Sequence, residues 1–225
     1  NLRDETYRTF KIEKQIEVIH NFVDVKRFTR KGIDAFRRVI APNGEKILMH
    51  ASNFRRIKRV QDVVKIFYEV TRKIPAKLLF VGDGPERATA EDLSRTLGIC
   101  DDISFVGKQE QMEDILAIAD LFLLTSEYES FGLAALEAMA AGVPVISTNA
   151  GGLPEIMIDG VVGYMSPVGD VRSMSARALE ILGDEEKLRH FKKAAAHHAK
   201  SFDIHNIVPL YEKLYDDVLS NELVD

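Results

Sequence analysis

An α/β fold built on a doubly wound parallel sheet, followed by a tail of helices, is what this sequence predicts, and three observations predict it. Between about residue 16 and residue 182, short β-rich runs alternate with longer helical patterns, the order that makes a parallel sheet with helices on both faces. The short runs are apolar almost throughout, as strands covered on both sides must be. After Pro167 the alternation stops and only helical periodicity remains.

The first predicted strand is QIEVIHNFV (15–23). EKILMHAS (45–52), AKLLFVGDG (76–84), DISFVGK (102–108), DLFLLTSE (120–127), VPVIST (143–148) and VVGYMSP (161–167) follow. Helices are predicted over 60–73, 85–97, 111–119, 132–141 and 153–158, then over 171–182, 185–201 and 204–219, with breaks at Gly183 and Phe202. No repeat, low-complexity tract or Gly/Ser linker divides the chain, so it reads as one domain. Residues 1–182 form its Rossmann-like body and 183–225 its C-terminal helices.

Composition narrows the function classes. With 46% hydrophobic and 29% charged residues, 225 residues suffice for a sizeable core. The net charge is −5 and basic residues are scattered among acidic ones, which argues against nucleic acid as a partner. Asp120, Glu137 and Pro144 interrupt the best apolar runs, so none approaches the ~20 residues of a membrane span. The single cysteine, Cys100, has no internal disulfide partner and reads as a packed thiol in a reducing compartment. With no signal-peptide pattern the expectation is a cytoplasmic protein. The chain opens at Asn1 without an initiator methionine and reads as a fragment of something longer; homo-oligomerisation stays open.

Ligands of open parallel sheets bind beyond the carboxyl ends of the strands, so chemistry is expected in the loops there. The loop SEYESFG leads into a helix beginning near Phe131 and Gly132, whose first amides and dipole favour an anion such as phosphate. Glu137 follows more than one turn into that helix, flanked by Leu136, Ala138 and Met139. An ionised carboxylate in such company is costly unless it faces a polar cleft or a bound hydroxyl; a narrow solvated stripe is the competing reading. SNFRRIKRV places Arg55, Arg56, Lys58 and Arg59 ahead of a helix, against the dipole preference. A diphosphate would explain them, and so would a solvated basic turn. VGDGPERATA fails as a dinucleotide fingerprint because Arg87 stands at the third glycine position, which leaves a tight turn as the better reading and an oxidoreductase as the weakest hypothesis. AGGLPEI either wraps a ligand or turns the chain. His190, His197 and His198 fall near one helix face without a carboxylate partner and read as surface residues.

Taken together, EYESFGLAALEAMAAGVPVI with its E-x7-E spacing from Glu129 to Glu137, GGLPEI, VGDGPE and HNFVD resemble the C-terminal half of retaining, nucleotide-sugar-dependent glycosyltransferases of the GT-B fold, the group-one or family-four type. NFVD and SNFRRIKRV are similar to those members that move N-acetylglucosamine to L-malate in bacillithiol biosynthesis. The resemblance implies a UDP-sugar donor, a small acceptor such as L-malate, and no cofactor or metal. It implies that Lys58 neutralises the donor diphosphate. Asn53 replaces the arginine usual five positions earlier, which leaves Arg56 or Arg55 as a substitute. Glu129 would hold hydroxyls of the transferred sugar, the backbone of Phe131, Gly132 and Leu133 would meet sugar and phosphates, and Glu137 would bind the ribose. Uracil would rest against Val106, Gly107 and Lys108. An acceptor-binding domain would precede this one, with the last helix crossing back to it, and the fragment alone would turn over little. A UDP-sugar 2-epimerase and a non-catalytic nucleotide-binding module are the alternatives.

Overall fold

The computed structural model describes residues 2–12, 15–28 and 34–222. Among the described residues three helices come first: α1 (Leu2–Phe10), α2 (Val25–Phe28) and α3 (Asp34–Ile40). Six strands follow: β1 (Lys46–Ser52), β2 (Ala76–Gly82), β3 (Ile103–Phe105), β4 (Leu121–Leu124), β5 (Val145–Thr148) and β6 (Gly163–Ser166). Between them run α4 (Val60–Thr71), α5 (Arg87–Thr96), α6 (Met112–Leu116), α7 (Leu133–Ala140) and α8 (Leu153–Ile156), and the chain continues through α9 (Val171–Leu182), α10 (Glu185–Ala199) and α11 (Ile204–Glu222).

All strand pairs are parallel, in the order β3-β2-β1-β4-β5-β6. Chain direction across the sheet reverses between β1 and β4, where Leu48 lies opposite Leu121 and Met49 opposite Phe122. Alternation along the strands sends Ile47, Met49, Phe122 and Leu124 to one face, and Leu48, Leu121, Leu123 and Ile146 to the other. Side chains of α7 and α8 cover the first face, and α4 and α9 cover the second. Helix α10 serves both, with Ala195 and Ala199 in the first cluster and Leu188 and Phe191 in the second. The doubly wound class expected from the sequence is therefore what forms, and α9 and α10 pack on the same sheet. Asp184 caps α10 by accepting from the amides of Glu186 and Lys187, which explains the break predicted at Gly183.

Two expectations are corrected. Residues 15–23 form no strand of the sheet. Val23 alone of that segment is buried, and its backbone pairs with the turn between α10 and α11: its amide donates to Phe202 O, and the Ile204 amide donates to Val23 O. The β-branched residues satisfied a strand pattern, yet they pack as an extended strap. Cys100 is exposed, because its turn buries Ile99 instead. Helices α1 to α3 had no counterpart in the sequence reading.

One buried charge ties four elements together. The Asp120 carboxylate accepts from Arg37 on α3 (2.6 Å), Lys192 on α10 (2.8 Å) and the Ile47 amide of β1 (3.0 Å). Burial works to raise its pKa, but Lys192 and Arg37 outweigh that and hold it below the usual carboxylate range. Removing one member of a buried pair costs about 3–5 kcal/mol, and the lower end applies here because both cations reach solvent. Asp120→Ala should thus lower unfolding free energy by about 3 kcal/mol in urea titration; a loss below about 1 kcal/mol would remove this network from the account of stability.

Candidate functional site

The loops after β1 and β4 diverge at the reversal point and enclose a cleft of about 290 Å³. Its polar lining comes from Asn21, Ser52, Asn53, Lys58, Glu129 and Ser130, and its far wall from Phe131 to Ala134 at the start of α7. Lys58 Nζ sits 2.6 Å from Glu129 Oε1, and the Ser126 hydroxyl donates to the same oxygen at 2.6 Å. This ion pair is mostly shielded, its side chains being 19% and 14% exposed. Lysine and carboxylate therefore face the cleft from opposite loops.

Of the four cations in SNFRRIKRV, only Lys58 lines this cleft. Arg59, left-handed at φ 49°, binds Asp62 at 2.6 Å and Glu127 at 3.0 Å, and so ties the two loops from behind. Arg56 lines a separate polar depression beside Arg59 and Glu86, and Arg55 is exposed. The side chains that would offend the α4 dipole are thus either paired or directed elsewhere. Asn53, standing where an arginine was looked for, does line the cleft.

Backbone contacts explain the glycines. Gly132 caps α7 at φ 98°, and a Cβ there would lie 2.6 Å from Leu153 Cδ2. At the first turn of α7 the Leu133 and Ala134 amides have no intrahelical acceptor, and both residues line the cleft. The pair in AGGLPEI packs on the loop carrying Glu129. The Gly152 amide donates to Glu129 O at 2.7 Å, and a Cβ on Gly151, at φ 64°, would lie 2.0 Å from the same oxygen. The Gly82–Gly84 turn plays that part for the β1 loop, since Cβ atoms there would meet Ser52 O at 1.8 Å and Asn53 O at 2.0 Å.

Glu137 lies on α7 outside this lining, half-buried, and its carboxylate has no hydrogen bond or ion pair among the described residues. Burial raises its pKa, Arg27 opposing and Glu113 adding to the shift. Gly107 and Lys108 follow β3 and do not line the cleft; Lys108 is exposed, and Gly107, at φ 70°, has open space where a Cβ would point. His190 and His197 are exposed, while His198 bonds Ile156 O at 2.8 Å.

Sequence reasoning quoted HNFVD, SNFRRIKRV and SEYESFG but gave no role to Asn21, Ser52 or Ser130, which line the cleft, nor to His50. Asn21, from the strap, closes one side of the cleft. His50, buried under the floor, bonds Leu123 O through Nδ1 and Ser52 Oγ through Nε2, each at 2.8 Å. Its place two residues before the end of β1, in a strand of hydrophobic neighbours, was the available signal.

A sequence model described as "Glycosyl transferases group 1" matches residues 33–198. The chain belongs to this family. Over 224 residues, 99% of its length, it is 42% identical to N-acetyl-alpha-D-glucosaminyl L-malate synthase of Bacillus anthracis. It spans 59% of that relative. Among solved structures, a sucrose-phosphate synthase from Thermosynechococcus elongatus superposes with TM-score 0.85 at 26% identity, covering 98% of this chain and 57% of that one. The Anabaena protein HepE in complex with UDP superposes with TM-score 0.82 at 22% identity, over 91% of this chain and 57% of its own. The group 1 fold expected from the resemblance is thereby shown. No helix among the described residues is long and apolar enough to cross a membrane.

Two outcomes follow from this geometry. Gly151→Ala forces a methyl onto Glu129 O in a left-handed backbone, whose strain alone costs about 1–3 kcal/mol, so its melting temperature should drop and the Glu129 loop should shift; an unchanged melting temperature would contradict the packing. Burial lowers the His50 pKa from 6.5 to about 4. Between those values the unfolded chain binds the proton and the folded one does not, so stability is complete above pH 6.5 and is lost as pH falls toward 4. Wild type should lose about 3 kcal/mol more than His50→Asn between pH 7 and pH 4 in urea titrations, and parallel pH curves would refute it.

Proposed function

We propose that this chain is the donor-binding part of a retaining glycosyltransferase that moves a sugar, N-acetylglucosamine, from a UDP-sugar to a small acceptor such as L-malate. The observation that carries the reading is the Lys58–Glu129 pair facing the amino end of α7 across one cleft at the sheet's reversal point. A lysine and free helix amides together suit a diphosphate leaving group, and preorganised charge of this kind is what transfer from a nucleotide-sugar requires. Neither a metal nor a cofactor is needed in this reading.

Lys58 stabilises the diphosphate, exchanging Glu129 for phosphate as donor binds. Glu129 then turns to hydroxyls of the transferred sugar, with the backbone of Phe131, Gly132 and Leu133 against sugar and phosphate and Asn53 at the rim. Glu137 accepts from the ribose, and Gly107 and Lys108 bracket the uracil. Arg56, on the neighbouring depression, serves the diphosphate only if its side chain swings over. The acceptor site belongs to a domain preceding these residues, and α11, with Leu210, Tyr215, Val218 and Leu219 exposed, crosses to it. The reaction takes place in the cytoplasm.

Support for the reading includes the 42% identity to a synthase whose name states N-acetylglucosamine and malate. UDP at ~100 times its dissociation constant should raise stability by about 2.7 kcal/mol. NAD should add nothing. Lys58→Ala should abolish most of the UDP effect. Glu137→Gln should weaken it while raising the melting temperature of the ligand-free protein, because the ionised carboxylate opposes folding at neutral pH. Absence of stabilisation by UDP or UDP-N-acetylglucosamine would overturn the assignment.

A further inference from the structure

Beneath the cleft, the hydrogen-bond directions around His50 can be assigned from chemistry. Leu123 O can only accept, so His50 Nδ1, 2.8 Å away, carries a proton. With the ring fully buried and its pKa held far below neutral, the imidazole is uncharged and Nε2 bears a lone pair. Ser52 Oγ, 2.8 Å from Nε2, must therefore donate its only proton inward. The Phe54 amide donates to the same hydroxyl oxygen at 3.2 Å. A hydroxyl has two lone pairs, so one acceptor position is all that Ser52 retains for a guest.

Nothing in this arrangement can turn readily. The imidazole lies between the Phe54 ring, stacked at 6.1 Å, and the Phe80 ring, edge-on at 5.6 Å. Phe54 is fully buried with a left-handed backbone at φ 39°, and Gly82 and Gly84 press on the carbonyls of Ser52 and Asn53. Ser52 lines the cleft beside Lys58 and Glu129.

We propose that His50 is a positioning residue of the donor site, holding Ser52 as an acceptor-only group for a hydroxyl of the sugar carried by the nucleotide. An ionised phosphate oxygen has no proton to give Ser52, whereas a sugar hydroxyl has. The cleft then divides its tasks: Lys58 and the α7 amides recognise the anion, and Ser52, set by His50, recognises the sugar. This inference rests on the donor-site reading and adds to it the means of telling a nucleotide-sugar from bare nucleotide.

The test compares binding of UDP and UDP-N-acetylglucosamine by calorimetry to wild type, Ser52→Ala, Ser52→Thr, His50→Asn and the His50→Asn/Ser52→Ala double variant. His50→Asn keeps a donor for Leu123 O and loses the acceptor for Ser52. Both Ser52→Ala and His50→Asn should weaken the nucleotide-sugar about tenfold and UDP less than about twofold, the scale of one hydrogen bond. Ser52→Thr should retain both affinities, and the double variant should bind no worse than either single one. A purely structural role would weaken both ligands alike or neither, and either result overturns the proposal, as does additivity in the double variant. Should His50→Asn fail to fold, the contrast between Ser52→Ala and Ser52→Thr still decides. If wild type binds neither ligand, the donor-site reading falls and takes this one with it; if wild type binds UDP and the variants match it with both ligands, only this inference falls.

Discussion

The pairing of β1 with β4 is the constraint on which the cleft depends. Two parallel neighbours whose chains leave in opposite directions across the sheet cannot have their following loops packed side by side, so a gap opens above Leu48, Met49, Leu121 and Phe122. Residues 77 positions or so apart in sequence, such as Ser52 and Glu129, meet across that gap only because the register is fixed by a continuous apolar layer on each face of the sheet. A slip of one residue would exchange the two faces of β1 and turn His50 out from beneath the loop it supports. The Asp120 tie acts on the same register from the other end, since it binds the first buried residue of β1 to the residue that opens β4.

Above this frame, polar groups are arranged so that each loop is held by something other than its prospective ligand. Thr148 donates to Ser126 O, Thr125 to Lys58 O, and Arg59 bridges Asp62 and Glu127, so the backbones of both loops are anchored before any guest arrives. Glycines do the rest by close approach rather than by flexibility. Gly82 and Gly84 crowd one loop and Gly151 and Gly152 the other, each at separations a side chain could not occupy. Preorganisation of this kind lowers the ordering cost on binding, which is where a shallow polar cleft gains affinity.

How much of this was legible in the sequence follows from which forces are local. Strands β1 to β6 and helices α4 to α10 were readable because their hydrophobic periodicity, caps and glycine stops are written in neighbouring residues. Lys58 and Glu129, which line the cleft, were singled out by the family resemblance, since charge against the helix dipole did not separate Lys58 from Arg55, Arg56 and Arg59; Glu137 stood out as a charge in an apolar frame and lies outside the lining. Arg59 offended the same rule, and only the fold reveals that Asp62 and Glu127 answer it. Residues 15–23 misled for the complementary reason: β-branched residues satisfy a strand pattern whether or not a sheet edge is near, and tertiary contacts with the α10–α11 turn decided the outcome. Glycine pairs are ambiguous in sequence because a turn, a close backbone approach and a ligand contact all demand the same missing Cβ.

Glu137 shows why stability and function pull apart at such a site. Burial on α7 among Leu136, Ala138 and Met139 raises its pKa, and although Arg27 offsets part of that through space, no hydrogen bond or ion pair holds the carboxylate among the described residues. A neighbour such as Glu113 adds to the cost rather than reducing it. Asp120, buried more deeply, is driven the other way because Lys192 and Arg37 surround it. One carboxylate is thus satisfied by the fold and the other is not. An unpaired half-buried carboxylate survives in a stable core only where the rest of the helix compensates, and the small, tightly packed residues Ala135, Ala138 and Ala140 supply that compensation against the sheet and α10. The energetic defect at Glu137 is therefore the part of α7 that the fold alone does not explain, and it is the reason the proposed function gives this carboxylate a hydroxyl to accept from.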